Sequence, residues 1–290
     1  MITGMNLTEA GTSKTVEVGD MKIHFHEAGK GDPVIFIHSY GPGTTAWINF
    51  HKTIGPLSQH FRCILMDMAE SGRTVAPAKR GETGHETAAR TALALMDALG
   101  IDKASLVGNS MGGTSVLVFG FTYPDRVNRL VTGACHHSTG QSFSGGEPYI
   151  IANRPSEGNR IAGEVTADPT RENFRRYLSV HLDNQNLVTD DLVEYLHTSY
   201  SKALAAMPPA RRRRGRGSPH SNLASLHKVK APTLVIYGRD DRMCSYEVGL
   251  TIFNYLADSR MVILKDCGHW PPFEHPDVYN RLVLDFLKNG

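Results

Sequence analysis

The sequence predicts an α/β fold, in which a mostly parallel central sheet is flanked by helices and carries an inserted helical cap. Short apolar runs of strand length recur along the chain, and several are followed by a glycine-rich turn and a helical pattern. This rhythm stops between residues 135 and 217, where polar, arginine-rich helical segments replace the strands. We therefore expect a core built from residues 1–134 and 218–290 and a cap built from residues 135–217.

The first half of the chain supplies three of the predicted strands and two helices. Residues 33–43 are typical of a buried strand that breaks into a loop, and residues 61–68 of the next strand. Residues 87–100 form the predicted crossover helix, because their apolar side chains share one helical face and Gly100 suits a helix end. Residues 104–124 predict a strand, an abrupt glycine-bounded turn and a helix that ends before a proline.

The second half continues the pattern around the cap. Three further strands are predicted at residues 127–134, 231–238 and 259–266, and the amphipathic segment 277–290 predicts a closing helix. The cap ends in a stretch with five arginines, residues 208–220, which could be a nucleic-acid patch or a localisation signal. No aromatic residues interleave these arginines, so we interpret the stretch as a solvated loop.

Composition and charge limit the partners of the protein. The formal net charge is +2, so no overall field favours nucleic acid or an acidic membrane, and we expect neither as a partner. The four cysteines lie far apart, which favours reduced thiols and a cytoplasmic protein. The first twenty residues lack the apolar core of a signal peptide, and no apolar run reaches the length of a membrane span.

The turn after residue 107 carries the main chemical signal. Residues 108–112 read Gly-Asn-Ser-Met-Gly, which fits the G-x-S-x-G pattern, and they lie between a predicted strand and a predicted helix. The glycines are needed because the serine adopts a strained backbone and its neighbours pack closely. The sequence therefore predicts Ser110 as a nucleophile.

A serine nucleophile needs a base, and the base needs an acid that fixes its tautomer. His269 follows the predicted strand 259–266, and two adjacent aspartates follow the strand 231–238. The acid of this type of site lies three residues after a glycine, which selects Asp241 and leaves Asp240 a structural role. We thus predict the catalytic triad Ser110, His269 and Asp241.

The oxyanion of an acyl-transfer reaction needs backbone N–H donors. Met111 supplies one because it follows the nucleophile, and we expect the other from Tyr40 in the loop of residues 38–43. The histidine pairs His24/His26 and His136/His137 lack accompanying carboxylates or cysteines in the sequence, so we interpret both as structural and predict no metal site. No phosphate loop or dinucleotide fingerprint is present, and we expect no cofactor.

Several segments together resemble the meta-cleavage-product hydrolases, a branch of the α/β-hydrolase family. They are the loop 41–43 with Trp47 and Asn49-Phe50, and residues 108–113, 238–242, 267–270 and 274–287. These enzymes hydrolyse a carbon–carbon bond in 2-hydroxy-6-oxo-dienoates during bacterial aromatic degradation. The resemblance implies that a dienol ketonises in the pocket, that Ser110 or an activated water adds to the distal ketone, and that collapse releases the dienoate fragment.

The resemblance also implies site residues and assembly. It places Asn109 and Trp270 beside the triad, and we expect them to bind the small-molecule substrate together with Gly41 and Leu196. It implies no cofactor and a homodimer or higher homo-oligomer.

Two positions depart from that family's pattern. The family binds the substrate carboxylate with an arginine where this chain has Leu196, with His197 beside it. Removing one partner of a buried charge pair costs about 2 to 5 kcal/mol, or about 30-fold or more in affinity. Tyr40 replaces the glycine or serine typical of the family and would narrow the acid-binding end of the pocket.

Two explanations of these departures remain open. Another cap cation replaces the arginine, with candidates Arg160, Arg175 and Arg176, or the substrate is an ester or lactone that lacks the carboxylate. A non-enzymatic small-molecule binding protein on the same fold is a third alternative, which a broken triad would favour. All three triad residues are present, and Ser110 argues against dehalogenase chemistry, which uses an aspartate at that position.

Overall fold

The computed structural model describes residues 7–69, 73–135, 157–206 and 223–290. These residues form an eight-stranded, mostly parallel sheet with helices packed against it, so the predicted α/β class is confirmed. The strands are β1 Ser13–Val18, β2 Met21–Ala28, β3 Pro33–Ile37, β4 Arg62–Met66, β5 Ala104–Asn109, β6 Val127–Gly133, β7 Thr233–Gly238 and β8 Ser259–Leu264.

The helices alternate with the strands from β3 onward. They are α1 Glu9–Thr12, α2 Ala46–Ser58, α3 Gly84–Ala98, α4 Met111–Thr122, α5 Glu157–Ala167, α6 Arg171–His181, α7 Asp190–Ala206, α8 Tyr246–Tyr255, α9 Pro271–Glu274 and α10 Pro276–Asn289. Short 3₁₀ turns occur at Pro124–Arg126, Gln185–Leu187 and Leu223–Lys228.

The order of the strands places the site. The sheet runs β1-β2-β4-β3-β5-β6-β7-β8, with β2 antiparallel to both of its neighbours and all later pairs parallel. After β3 the chain first adds β4 on one side and then β5 on the other. Loops at the carboxyl ends of β3 and β5 therefore diverge, which opens the crevice where open α/β sheets bind their ligands.

Two apolar clusters cover the two faces of the sheet. One packs α3, α4 and α8 against β2, β3, β5 and β7, and the other packs α2 and α10 against the opposite face. Helix α10 buries Tyr279, Val283, Phe286 and Leu287, which recur at spacings of three and four as the amphipathic pattern predicts.

Several helices differ from the sequence-based prediction: α3 begins earlier than predicted, and α1, α2, α8 and α9 were not predicted. Helix α3 begins at Gly84 rather than at residue 87, because Thr83 and Glu86 form a capping box that satisfies the first backbone N–H groups. Helix α2 was not predicted. Its start is fixed by Thr45, whose side chain accepts from the N–H of Ile48.

Helices α5, α6 and α7 lie in the predicted cap and add no strand to the sheet. Their apolar residues form a third cluster, which also contains Ile48, Trp270 and Phe273 from the predicted core. The inserted helices are therefore packed onto the loops at the carboxyl edge of the sheet.

Some predictions lie outside the described residues, namely those on His136/His137 and on the arginine-rich segment 208–220. No helix among the described residues is long and apolar enough to cross a membrane. The four cysteines, Cys63, Cys135, Cys244 and Cys267, are all buried and form no disulfide.

Candidate active site

Ser110 lies on the sharp turn between β5 and α4. Its φ of 56° and ψ of −120° fall outside the regions that non-glycine residues commonly adopt. The turn is held by the Ser110 N–H, which donates to the carbonyl of Gly133 at 2.8 Å. A strained backbone that the surrounding structure enforces is typical of a functional position.

The flanking glycines are required by close packing. A Cβ on Gly108 would lie 2.3 Å from the carbonyl oxygen of Gly112, and a Cβ on Gly112 would lie 1.9 Å from that of Ile37. Both distances are far below van der Waals contact with backbone atoms that cannot move aside. The G-x-S-x-G pattern thus follows from the tight packing of Gly108 against the start of α4 and of Gly112 against the end of β3.

The structure brings the three predicted triad residues into one hydrogen-bonded line. The Ser110 Oγ lies 2.9 Å from Nε2 of His269, and Nδ1 of His269 lies 2.8 Å from Oδ2 of Asp241. The side chains of His269 and Asp241 are 2% and 0% exposed. Water is therefore excluded from the pair that would orient the imidazole.

The loop after β7 distinguishes the two adjacent aspartates. Asp241 uses its second oxygen, Oδ1, to accept from the N–H groups of Met243 and Cys244 at 2.7 and 2.9 Å. These bonds fix the carboxylate that faces His269. Asp240 instead pairs with Arg239, and its N–H donates to the carbonyl of Cys267.

The loop of residues 38–43 follows β3, and we call it the oxyanion loop because it is predicted to supply an oxyanion donor. It is braced by buried side chains. The His38 Nδ1–H donates to the Ser39 carbonyl at 2.7 Å, while its Nε2 accepts from the N–H of Met68 at 2.9 Å. Burial lowers the pKa of His38, which keeps this neutral tautomer. The Ser39 N–H donates to Oδ1 of Asn49 at 3.0 Å.

The two predicted oxyanion donors flank this region. Met111 is the first residue of α4, where a backbone N–H has no partner within the helix. Tyr40 is half-buried in the loop after Ser39. Donation of their N–H groups to an oxyanion stays a prediction.

Two of the predicted substrate-binding residues, Asn109 and Trp270, adjoin Ser110 and His269 in the chain. The Asn109 side-chain amide donates to the carbonyl of His269 at 3.3 Å. This residue therefore braces residues 265–270, the loop between β8 and α9 that we call the histidine loop. Trp270 is fully buried, and its indole N–H has no acceptor among the described residues. A buried donor without a partner is costly, which makes this indole a candidate donor to a bound ligand.

The inserted helices approach the oxyanion loop through backbone and ring contacts. A Cβ on Gly43 would lie 2.1 Å from the carbonyl oxygen of Leu196, and one on Gly41 would lie 2.0 Å from the Tyr177 hydroxyl. Leu196 itself is fully buried in the third apolar cluster. The residue beside the loop at this point therefore has an apolar side chain.

The three arginines predicted as replacement cations are engaged elsewhere. Arg160 and Arg176 pair with Glu164, and Arg175 pairs with Asp190. Helix α6 buries the face that carries Phe174, Tyr177, Leu178 and His181. Arg175 and Arg176 project from its exposed faces, which explains why sequence position alone misplaced them.

His181 lies beside the triad, and the sequence analysis did not identify it as a site residue. Its ring lies edge-on to that of His269, with centroids 5.3 Å apart, and its Nδ1–H donates to the Tyr177 carbonyl at 2.8 Å. Burial, followed by the nearby His269, holds the pKa of His181 well below its usual value. His181 therefore borders the site as a neutral imidazole.

The site is suited to nucleophilic catalysis. It combines a strained serine, a buried histidine in contact with it and an oriented carboxylate. Within the described ranges, no group of three or more His, Cys, Asp or Glu side chains could hold a metal ion.

The comparisons with known proteins agree with this geometry. Residues 32–276 match a family model described as alpha/beta hydrolase fold. The chain is 33% identical, over 98% of its length and 99% of the relative's, to a 2-hydroxy-6-oxo-6-phenylhexa-2,4-dienoate hydrolase from Burkholderia cepacia. It is 34% identical, with the same shares covered, to a 2-hydroxy-6-oxononadienedioate/2-hydroxy-6-oxononatrienedioate hydrolase from Comamonas testosteroni.

A solved structure shows the same similarity in three dimensions. The meta-cleavage product hydrolase from Pseudomonas fluorescens IP01 superimposes with a TM-score of 0.79 and 28% sequence identity, covering 95% of this chain and 97% of that one.

Proposed function

The chain belongs to the α/β-hydrolase family, in the branch of the meta-cleavage-product hydrolases, and we accordingly propose that it hydrolyses a carbon–carbon bond in a 2-hydroxy-6-oxo-dienoate. The main support is the contact of 2.9 Å between the Ser110 hydroxyl and the His269 imidazole in a chain with such relatives. The names of the relatives place different groups at carbon 6, so the proposal covers the shared dienoate portion.

The first chemical step is addition to the distal ketone. The dienol ketonises, which moves its hydroxyl proton to carbon 5. Ser110 Oγ then bonds to carbon 6 while Nε2 of His269 takes the proton of the Ser110 hydroxyl. Asp241 stabilises the resulting imidazolium, and the N–H groups of Met111 and Tyr40 stabilise the oxyanion.

The second step breaks the carbon 5–carbon 6 bond. The electron pair is delocalised over the dienoate fragment, which takes the proton from the His269 imidazolium and leaves as the 2-hydroxy-dienoate, so that His269 is neutral again. The remaining acyl group stays on Ser110 as an ester. Water activated by His269 then hydrolyses this ester and restores the serine.

We assign supporting roles to the residues around the triad. Asn109 braces the histidine loop through the His269 carbonyl, and the Trp270 indole N–H, which has no acceptor in the described part of the chain, donates to a substrate oxygen. Gly41 and Leu196 line the oxyanion side. We treat residues 135–217 as a cap that closes over this space.

A second candidate, ester or lactone hydrolysis, is favoured by one observation. Leu196 is apolar and buried where a carboxylate-binding arginine is expected, and the three alternative arginines form ion pairs elsewhere. A substrate without the carboxylate would suit such a pocket, and the same acyl-enzyme chemistry would apply.

Comparison of two substrates tests the proposal. Pure protein is incubated with a ring-fission dienoate and with a nitrophenyl ester, and kcat/KM is measured for each. We expect loss of the dienoate's visible absorbance at a much higher kcat/KM than that for ester hydrolysis. Activity on the ester alone would reject carbon–carbon cleavage and select the second candidate.

We infer two cellular properties as part of this proposal. The family resemblance supports a homodimer or higher homo-oligomer, and four buried thiols without disulfides support a reducing compartment such as the cytoplasm.

A further inference from the structure

One buried carboxylate outside the triad joins two parts of the site. Glu274, the last residue of α9, accepts four backbone hydrogen bonds. Its Oε1 accepts from the N–H groups of Gly268 and Trp270 at 3.0 and 3.3 Å. Its Oε2 accepts from those of Asp183 and Asn184 at 2.7 and 3.4 Å.

The two pairs of donors belong to different parts of the chain. Gly268 and Trp270 flank the triad histidine, whereas Asp183 and Asn184 follow α6 at the end of an inserted helix. One carboxylate oxygen serves each pair. Glu274 therefore spans the junction between the histidine loop and the inserted helices.

The same junction has direct backbone contacts. The His269 N–H donates to the carbonyl of His181 at 2.7 Å. A Cβ on Gly268 would lie 2.6 Å from that carbonyl oxygen and 2.8 Å from the nitrogen of Asp183. The two segments approach so closely that a shift of one must displace the other.

The carboxylate is held without a direct ion pair. No Lys, Arg or His among the described residues lies within ion-pair distance of Glu274; the nearby Lys52 donates instead to the Phe273 carbonyl at 2.9 Å. Burial raises the pKa of Glu274, because desolvation outweighs the four hydrogen bonds. Burying a carboxylate costs free energy, and the four backbone N–H groups offset part of that cost.

We propose that Glu274 is a positioning residue that couples the placement of the inserted helices to the orientation of the His269 imidazole. It does not touch the reacting atoms. It fixes the backbone on both sides of His269 and ties that backbone to the end of α6. This role rests on the proposed functions of Ser110 and His269 and not on the identity of the substrate.

The chemistry of the side chain suggests a test. Glu274→Gln keeps the shape but leaves one acceptor oxygen, so one of the two donor pairs must face an NH₂ group. The matched control is Glu27→Gln, which removes a carboxylate that accepts from Lys14 and Arg62 at the end of β2, on the edge of the sheet away from the site.

The first measurement is the rate at which diisopropyl fluorophosphate inactivates each protein by reacting with Ser110. This small reagent needs no dienoate. We expect Glu274→Gln to slow inactivation by about 10- to 100-fold, since a misplacement of about 1 Å has an effect of that size. Glu27→Gln should react within about twofold of wild type even if its melting temperature falls.

The second measurement reports the loop directly. The protein has two tryptophans, so Trp270 is the sole tryptophan emitter in a Trp47→Phe background. We expect its emission to shift to the red in Glu274→Gln, because the buried indole gains access to water. Glu27→Gln should leave the emission unchanged.

The proposal is overturned if Glu274→Gln reacts at the wild-type rate with unchanged Trp270 emission. If that variant does not fold, Glu274→Asp replaces it, because the shorter side chain keeps both acceptor oxygens but cannot span the same gap. A wild-type rate and emission in folded Glu274→Asp would then overturn it. Failure of wild-type protein to be labelled at Ser110 would instead overturn the proposed triad.

Discussion

The described part of the chain contains two Ser–His–Asp lines with nearly the same hydrogen-bond lengths. In the first, Ser110 lies 2.9 Å from His269, which lies 2.8 Å from Asp241. In the second, Ser13 Oγ lies 2.8 Å from Nε2 of His24, whose Nδ1 lies 2.8 Å from Oδ2 of Asp67. Hydrogen-bond lengths alone do not tell them apart.

The backbone around the serine does distinguish them. Ser13 lies in β1, has an ordinary φ of −69° and pairs with His26 of β2. Ser110 has a φ of 56° and precedes a helix, whose first N–H groups have no partner within the helix. Only the first line thus combines a strained serine backbone with a following helix N-terminus, where the oxyanion donor Met111 is predicted. We therefore expect the turn, more than the hydrogen-bonded line itself, to make Ser110 suited to attack.

The second line connects several elements of the fold. Asp67 accepts from the N–H groups of Ala46, at the start of α2, and Arg73. It thereby joins β2, β4 and α2 below the oxyanion loop. The structural interpretation of His24 and His26 stays a prediction. The sequence analysis missed Asp67 as the carboxylate partner of His24, because the two residues lie 43 positions apart in the chain.

Removing each serine in turn should separate the two lines most strongly. Ser110→Ala should lower kcat by about 10⁵- to 10⁶-fold while leaving substrate binding largely intact. Ser13→Ala should keep kcat within about twofold, because Ser13 lies on a regular strand and is not part of the proposed triad. Steady-state kinetics of both variants check this, and near-normal turnover by Ser110→Ala would eliminate serine involvement.

Replacing each aspartate should separate catalysis from stability. Asp241→Asn should lower kcat by about 10⁴-fold, because the amide favours the wrong histidine tautomer. Asp67→Asn should instead lower the free energy of unfolding by about 3 kcal/mol, with a loss of kcat below about tenfold in the folded protein. Denaturant titration and kinetics on both variants make the comparison; equal losses of kcat would contradict it.

A weaker difference should appear in the dependence of stability on pH, which we assign to the second line and its neighbour His26. Burial lowers the pKa of His26 from 6.5 to about 4, so between these values the unfolded chain binds a proton that the native protein does not. The free energy of unfolding should therefore fall as the pH falls from about 6.5 to 4, by at most about 3 kcal/mol.

Asp67 adds a second loss at lower pH. Burial opposes its ionisation, but the hydrogen bond from His24 and the neighbouring histidines hold the pKa of Asp67 well below its usual range. Its contribution is complete above pH ~4 and is lost as the pH falls further. Denaturant titrations at pH 7, 5 and 4 should show a weaker dependence in His26→Gln, and an unchanged dependence would exclude His26.

Features that local chemistry dictates could be predicted from the amino-acid sequence. The strand–turn–helix around Ser110 is one of them, because glycines at fixed spacing are the only residues that fit the turn. Positions directly after strands identified His269 and Asp241, because parallel strands gather their carboxyl ends at one edge. The α/β class followed from the same alternation.

Features that depend on distant segments became visible only in three dimensions. Glu274 and His181 acquire their roles where the inserted helices meet the histidine loop, and Leu196 proved buried beside Gly43. Arg175 and Arg176 lie in surface ion pairs because helix α6 turns its other face inward. The environment of a side chain is set by packing between elements far apart in the chain, and no local pattern encodes it.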